Sequence, residues 1–215
     1  MKTINDKKQL ALSTIVCLLP IVMYLLVYDR LPEQMVQQWG AGGTPNWTMA
    51  RPFAIVVVPV FLAIIHVIVV LALNSKHSVQ KNPPKFRVLM SWFVPVTSIF
   101  TNLLVLFANI DESFDVGTAV LVFVGVVFIV MGNYLPKLRQ NYVAGIRTPW
   151  TLKNADNWYK THRLGGKVFV FAGVIFILTV VLPLSANGFV IAVVFTALVA
   201  AIVPIAYSYV IYKKS

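Results

Sequence analysis

Six long apolar runs occupy most of this sequence and constrain its fold more than any other feature. A helix of about 20 apolar residues spans a bilayer core of about 30 Å. Because the runs are continuous rather than alternating, and because backbone groups cannot stay unpaired in lipid, helices are the predicted structure. Pro183 and Gly188 mark a turn between the last two runs. The sequence therefore predicts an all-α membrane protein with six transmembrane helices. The runs cover approximately residues 10–28, 53–73, 88–110, 117–135, 168–184 and 188–212.

The distribution of charge predicts how these helices are oriented. Of the 18 Lys and Arg residues, all but Arg30 and Arg51 lie near the two termini or in the second and fourth polar intervals. Basic residues are retained on the cytoplasmic side of a membrane, so both termini are predicted to be cytoplasmic. The net charge of +11 is then a topology signal that also attracts anionic lipids. It does not indicate direct binding to nucleic acid, and membrane lipids are the first predicted partner.

The chain is interpreted as a single membrane domain, residues 1–215, built from two halves of three spans. The halves are 1–110, with an outer loop at 29–52, and 111–215, with a cytoplasmic loop at 136–167. Because three is an odd number of spans, the halves would have opposite orientations, as in a 3+3 inverted repeat. Leu-Pro and Thr-Pro dipeptides recur at one spacing in both halves, at 31–32 and 44–45 and at 135–136 and 148–149.

Few polar side chains lie within the apolar runs. His66 is in the second run, and Ser98 and Asn102 share one face of the third. Such groups usually face other helices, so interhelical hydrogen bonds are one interpretation. The alternative is a central polar cavity, in a small-molecule or lipid transporter built from two inverted halves. Kinks are predicted at the interior prolines Pro20, Pro59, Pro95 and Pro204.

The longest polar interval lies between the fourth and fifth runs. Within it, residues 154–166 are predicted to form a short amphipathic helix in the plane of the membrane interface. Asn154 is the expected N-cap, Asp156 and Lys160 are spaced as an i, i+4 pair, and Gly165-Gly166 is the expected end. Trp158 and His162 would share one face of this helix.

Motifs for catalysis or for cofactor binding are missing from the sequence. There is no HExxH, no GxSxG and no Walker lysine loop. The three histidines, His66, His77 and His162, are too scattered to predict a metal site. We therefore expect neither an enzyme nor a bound cofactor. A lipid-active enzyme that uses residues 162–167 is a weaker alternative.

The polar interval also carries a family resemblance. GNYLPKLRQNYVAGIRTPWTL followed by WYKTHRLGGK, within residues 132–167, resembles the signature of the SdpI family of bacterial multi-pass membrane proteins. LPEQMVQQWGAGGTPNW, within residues 31–47, resembles a small domain of unknown function that precedes this signature in many members. Those members typically carry a histidine before the tryptophan, where this chain has Gln38.

This resemblance implies a bacterial cell-membrane protein that gives immunity to a secreted toxic peptide. The founding member of the family protects a sporulating bacterium from its own killing peptide and is also a receptor. In that second role it is thought to hold a small winged-helix autorepressor at the membrane. For this chain, the expected partners are therefore a toxic peptide outside the cell and a repressor on the cytoplasmic side.

Two candidate sites follow from this interpretation, one in each long loop. The predicted outer peptide site consists of Pro32, Trp39, Gly43, Pro45 and Trp47. The predicted cytoplasmic partner site consists of Asn133, Pro136, Asn141, Gly145, Arg147, Thr148, Pro149, Trp150, His162, Arg163, Gly165, Gly166 and Lys167.

Overall fold

The computed structural model describes residues 4–40, 43–74, 84–142, 144–182 and 184–214. Two residues named in the sequence analysis, His77 and Pro183, lie outside the described residues.

Seven α-helices and one β-hairpin make up the described residues. Six of the helices are long and apolar enough to cross a membrane, which confirms the predicted multi-pass, all-α class. The elements are α1 (Ile4–Leu26), β1 (Gln34–Trp39), β2 (Pro45–Ala50), α2 (Arg51–Leu73), α3 (Pro84–Ile110), α4 (Val116–Tyr134), α5 (Pro149–Lys153), α6 (Ala155–Val181) and α7 (Ala186–Lys214).

Two compact units divide these elements between them. Unit 1 comprises residues 1–75 and 87–117, and unit 2 comprises residues 76–86 and 118–215. Each unit contains a helix, a long polar segment and then two further helices. The single-domain interpretation with its boundary at residue 110, the inverted repeat and the cytoplasmic termini all remain predictions.

Hydrogen bonds between helices hold unit 1 together within its apolar interior. The hydroxyl of Ser98 donates to the carbonyl of Cys17 at 2.9 Å, and Nε2 of His66 lies 2.8 Å from Oγ of Ser13. The Tyr24 hydroxyl donates to the backbone carbonyl of Asn102 at 2.9 Å. His66, Ser98 and Asn102 are all buried, and each is bound to α1. The interhelical interpretation therefore accounts for these three residues, and the transporter alternative gains no support from them.

Glycines bring α4 and α6 close together in unit 2. A Cβ atom on Gly166 would lie 2.6 Å from the carbonyl oxygen of Gly132. Seven residues away along each helix, Gly125 faces Gly173, and a Cβ on Gly125 would lie 2.8 Å from the Gly173 carbonyl oxygen. Small residues at such positions let two helix backbones approach each other in a membrane. We call these four glycines the glycine seam.

The predicted end of the helix at Gly165-Gly166 is wrong. Helix α6 continues through both glycines from Ala155 to Val181, so the fifth span begins well before the predicted residue 168. A glycine pair is a helix terminator only when no tertiary contact uses the missing side chains. Here Gly166 packs on Gly132, and a Cβ on Gly165 would lie 2.6 Å from Cδ1 of Ile146. The N-cap at Asn154 and the Asp156–Lys160 pair are confirmed.

The outer loop contains a β-hairpin that was not predicted. Strands β1 and β2 pair antiparallel, with Val36 opposite Thr48 and an irregularity between Val36 and Gln38. Gly43 has φ of +77° in the turn, a conformation that glycine adopts without steric cost. Met35 of β1 is fully buried in a cluster with Tyr24, Leu31 and residues of α2 and α3. This burial seats the hairpin on the ends of the unit 1 helices.

Candidate functional site

The inner segment, which we define as residues 135–167, is folded by its own side chains. Thr148 caps α5 in a capping box with Thr151, each side chain accepting from the backbone N–H of the other residue. Asn154 then caps α6, because its Oδ1 accepts from the N–H groups of Asp156 and Asn157 at 2.9 and 3.1 Å. These caps fix the two helix starts within a short stretch of chain.

Trp158 and His162 hold the preceding loop against α6. The indole Nε1 of Trp158 donates to the carbonyl of Leu138 at 2.9 Å. Nε2 of His162 accepts from the backbone N–H of Ile146 at 2.9 Å, and Nδ1 lies 2.8 Å from the carbonyl of Trp158. A nitrogen that accepts an amide hydrogen carries no proton, so this geometry requires a neutral His162 with its hydrogen on Nδ1. The two rings stack at 4.0 Å.

Gly145 is required where the loop passes over these rings. Its φ is +113°, which L-residues with a side chain rarely adopt. A Cβ atom there would collide with Nε2 of His162 and lie 3.1 Å from the Trp158 ring. The loop can therefore reach the histidine only because this position lacks a side chain.

Two amides complete the fold of the loop. The Oδ1 atom of Asn141, which is buried, accepts from the N–H of Ala144 at 2.8 Å, and its Nδ2 donates to the carbonyl of Arg139 at 2.7 Å. Nε2 of Gln140 donates to the carbonyls of Thr151 and Leu152 at 2.8 Å each, which satisfies carbonyls at the end of α5.

Helix α7 is fastened to the inner segment at Ser208. Oγ of Ser208 accepts from the indole Nε1 of Trp150, and its carbonyl accepts from Nδ2 of Asn157 at 2.9 Å. The Trp150 ring also packs against Tyr209 and Tyr212, with centroids 5.3 and 5.9 Å away. Ser208 was not predicted as a site residue, and nothing in its local sequence distinguishes it from other serines near a helix end.

The structure separates the predicted cytoplasmic partner site into internal and external residues. Asn141, Thr148, His162, Gly165 and Gly166 are buried, while Pro136 and Trp150 are partly buried. These seven residues therefore stabilise the inner segment itself. The residues that remain exposed are Asn133, Gly145, Arg147, Pro149, Arg163 and Lys167.

A row of basic side chains runs along the exposed face of α6. Lys160, Arg163 and Lys167 line a depression of about 320 Å³ with Tyr159, Leu164 and Tyr207. Lys160 also pairs with Asp156 at 2.7 Å. Of these residues only Arg163 and Lys167 were predicted as site residues, although the i, i+3, i+7 spacing of the basic residues is visible in the sequence.

Asn109 and Arg51 fix the outer hairpin to unit 1. The Asn109 side chain accepts from the N–H of Val36 at 2.8 Å and donates to the Val36 carbonyl at 2.9 Å, so it imitates a neighbouring strand. Arg51 donates to the carbonyls of Tyr28 and Leu31 at 3.0 and 2.9 Å. Its guanidinium also lies 4.2 Å from the centre of the Tyr28 ring. Neither residue was predicted as part of the outer site.

Strand β2 is the exposed strand of the hairpin. Pro45, Asn46, Trp47 and Thr48 are all exposed, and half of the Trp47 surface is accessible. Of the other predicted outer-site residues, Pro32 and Gly43 are exposed, whereas Trp39 is partly buried and packs against the cluster around Met35. Four of the five predicted residues therefore lie in the hairpin, with Trp39 on its inner side, and Pro32 precedes β1.

The exposed parts of the two ordered segments suit binding. Among the described residues, no group of three or more His, Cys, Asp or Glu side chains is placed to hold a metal ion. What the chain offers is an ordered hairpin whose exposed strand carries Pro45 and Trp47, and an ordered inner segment with a basic face. Both are features that contact peptides, proteins or lipid headgroups.

The fold defines a multi-pass membrane protein with an ordered polar segment in each unit. The resemblance predicted from residues 132–167 is confirmed, because residues 137–208 match the SdpI/YfhL protein family. Residues 15–63 match a domain of unknown function, DUF1648. The chain is similar to the immunity protein SdpI of Bacillus subtilis (strain 168), with 29% identity over 208 residues and 97% of each chain covered. No solved structure matches this chain.

Proposed function

We propose that this chain is a membrane immunity protein that protects its bacterium from a secreted toxic peptide. The supporting observation is the similarity to the Bacillus subtilis immunity protein SdpI, which extends over 97% of both chains. An alignment of this length takes in the spans and both long polar segments. The proposal therefore rests on the whole chain and not on one short motif.

Protection is the direct test. A sensitive Bacillus subtilis strain that lacks its own SdpI would express this chain and be challenged with medium conditioned by its parent or by the source bacterium of the chain. Survival above that of the empty-vector strain is the expected result. Killing at the vector level by both media, with normal amounts of the protein in the membrane, would contradict the proposed immunity.

We place the peptide contact at the free edge of β2. Val36 and Thr48 lie opposite each other, and the N–H and C=O of Val36 are turned outward to Asn109. In an antiparallel pair, opposite residues point both sets of backbone groups either toward each other or away. The N–H and C=O of Thr48 therefore point away from β1, along an exposed strand. An extended peptide could add there as a third strand, with Trp47 and Pro45 beside it.

Two substitutions of Thr48 distinguish peptide binding through backbone hydrogen bonds from peptide binding through side-chain contact. Thr48→Pro removes the outward N–H and is expected to weaken peptide binding about tenfold, the effect of one lost hydrogen bond. Thr48→Val keeps the backbone donor and a β-branched side chain, so it is expected to protect as the wild type does. Equal protection by both variants would exclude strand addition at this edge while leaving the immunity proposal standing.

The proposal includes a receptor role for the inner segment, in which it holds a small winged-helix repressor at the membrane. Arg147 and Pro149 are the exposed residues next to the capped start of α5, and they would contact such a partner. Arg147→Gln is expected to reduce membrane recruitment of a fluorescent repressor in toxin-treated cells, and Arg139→Gln is the control. Unchanged recruitment by Arg147→Gln would contradict this role without affecting the protection assay.

A further inference from the structure

The basic face of α6 continues into an apolar groove. Lys167 lines both the basic depression with Lys160 and Arg163 and a second depression of about 490 Å³. The other residues of this second depression are Gly132, Asn133, Pro136, Gly166, Val170, Phe171 and Val174. The two depressions therefore meet at Lys167, with cationic side chains in the first and mostly apolar residues in the second.

The α6 residues that carry this surface lie on one face of the helix, with the basic residues before the apolar ones along the helix. Residues 160, 163, 167, 170, 171 and 174 recur at the spacing of one helix face. With a rise of about 1.5 Å per residue, the basic part and the apolar part each extend about 10 Å along the helix. Phe171 and Val174 are exposed, and α6 is one of the membrane-spanning helices, so the apolar part faces lipid chains. The polarity of the surface matches that of a phospholipid, headgroup first and chains below.

Two of the three cations of this surface have no acidic partner within the part of the chain that the structure describes. Lys160 has Asp156 as its ion-pair partner, but among the described residues neither Arg163 nor Lys167 has an acidic partner. Arg163 offers a planar donor group that suits phosphate oxygens, and Lys167 adds a second cation at the mouth of the groove. Tyr159 and Tyr207 are the interfacial side chains of the depression.

We propose that this surface is a binding site for one anionic glycerophospholipid. The headgroup phosphate lies against Arg163 and Lys167, and one acyl chain occupies the groove between α4 and α6. The groove exists because the glycine seam leaves no side chains between the two backbones at Gly132 and Gly166. This inference assigns two residues of the predicted cytoplasmic partner site, Arg163 and Lys167, to lipid. It does not depend on the proposed immunity function.

Native mass spectrometry of the full-length protein in detergent tests the headgroup contact. Phosphatidylglycerol and phosphatidylcholine with identical acyl chains would be offered at equal concentrations. The wild type is expected to retain phosphatidylglycerol preferentially. Arg163→Gln with Lys167→Gln is expected to lower that affinity about tenfold or more. Arg139→Gln with Lys153→Gln removes the same charge from exposed positions outside the site and is the matched control, expected to bind as the wild type does.

A second pair of variants tests the groove without altering charge. Val174→Trp fills the apolar depression, whereas Val181→Trp adds the same bulk at an exposed position beyond it on α6. Loss of phosphatidylglycerol in the first variant alone is the expected result. Because all charges are kept, this pair tests the site even where the double glutamine variant does not fold.

Several outcomes would overturn the proposal. Equal retention of both lipids by the wild type would indicate annular lipid only, and equal loss in both double variants would indicate diffuse attraction. Displacement by soluble glycerophosphoglycerol, with no effect of Val174→Trp, would indicate a phosphate site without a lipid chain. If polyglutamate at equal charge displaces the bound lipid and added phosphatidylglycerol does not, the surface would be assigned to an acidic protein.

Discussion

Gly145 shows how one residue without a side chain can decide the path of a loop. Its positive φ and its position above the Trp158 and His162 rings are two independent requirements for glycine. Gly43, in the turn of the hairpin, also has a positive φ, but an added Cβ there would have no neighbour within 4 Å. Substitutions at the two glycines therefore distinguish the cost of backbone strain alone from that of strain combined with steric collision.

We expect Gly145→Ala to destabilise the protein more than Gly43→Ala. The hairpin substitution should cost about 1–2 kcal/mol, from the left-handed backbone alone. The Gly145 substitution adds a collision with His162 and Trp158 and should cost about 2–4 kcal/mol. Denaturant unfolding in detergent, followed by tryptophan fluorescence, measures both. Equal losses would mean that the loop moves away from α6 at little cost.

His162 is interpreted as an internal hydrogen-bonding residue, and that role can be tested. In His162→Phe the partly buried N–H of Ile146 loses its acceptor, which should cost about 1–3 kcal/mol and speed hydrogen exchange in the loop. In His162→Gln a side-chain oxygen can accept in place of Nε2, so a smaller effect is expected. Hydrogen exchange of peptides that contain Ile146 measures the difference. Wild-type exchange in His162→Phe, combined with lost partner recruitment, would instead support a surface role.

At the scale of single elements, sequence analysis predicted the start of α6 correctly and its end wrongly. The cap at Asn154 and the Asp156–Lys160 pair depend on neighbours in the chain, so they could be predicted from local spacing. The continuation through Gly165-Gly166 depends on Gly132 of α4, which no local rule includes. The seven-residue spacing of glycines in both helices, 125 with 132 and 166 with 173, was the available signal.

The glycine seam predicts that one glycine-to-alanine substitution in a helix destabilises the protein, although such substitutions usually stabilise it. Replacing a helical glycine by alanine normally stabilises a helix by about 1 kcal/mol. Gly117→Ala, at the exposed start of α4 and 3.3 Å from a side-chain oxygen of Asp115, should follow that rule. Gly166→Ala should instead destabilise, because its Cβ would lie 2.6 Å from the Gly132 carbonyl oxygen. Thermal unfolding in detergent measures the change in stability for both variants. Stabilisation by Gly166→Ala would contradict the close packing.

The hairpin was missed for a related reason. The sequence QMVQQW has no clean alternation of polar and apolar residues, and the pairing contains an irregularity after Val36. Its strand character is completed by Asn109, which is distant in sequence and supplies the hydrogen bonds of a neighbouring strand.

For the whole molecule, hydrophobicity predicted the class because lipid leaves few alternatives to a helix. The number of spans followed from the runs themselves. The candidate sites were harder to predict from the sequence, because burial decides which polar residues of a loop remain available to a partner. His162 and Asn141 look as polar in the sequence as Arg147 does, yet both are fully internal.

The predicted orientation can be tested by chemical labelling. The chain's one cysteine, Cys17, is buried, so an impermeant maleimide should not react with the wild type in intact cells. A cysteine introduced by Thr48→Cys should react from outside the cell. One introduced by Tyr159→Cys, at a position with 54% exposure, should react only after permeabilisation. Labelling of the second variant in intact cells would reverse the predicted topology.

The uninterrupted course of α6 has a consequence for proteases. Trypsin requires an extended backbone at the bond it cleaves, and the bonds after Lys160, Arg163 and Lys167 are all held in helical hydrogen bonds. The bond after Lys137 lies at the end of a 3₁₀ turn, Leu135–Lys137, and the bond after Arg139 lies outside any helix. In inverted vesicles, digestion should therefore leave a C-terminal fragment that begins well before the glycine pair, with its basic helical end still attached.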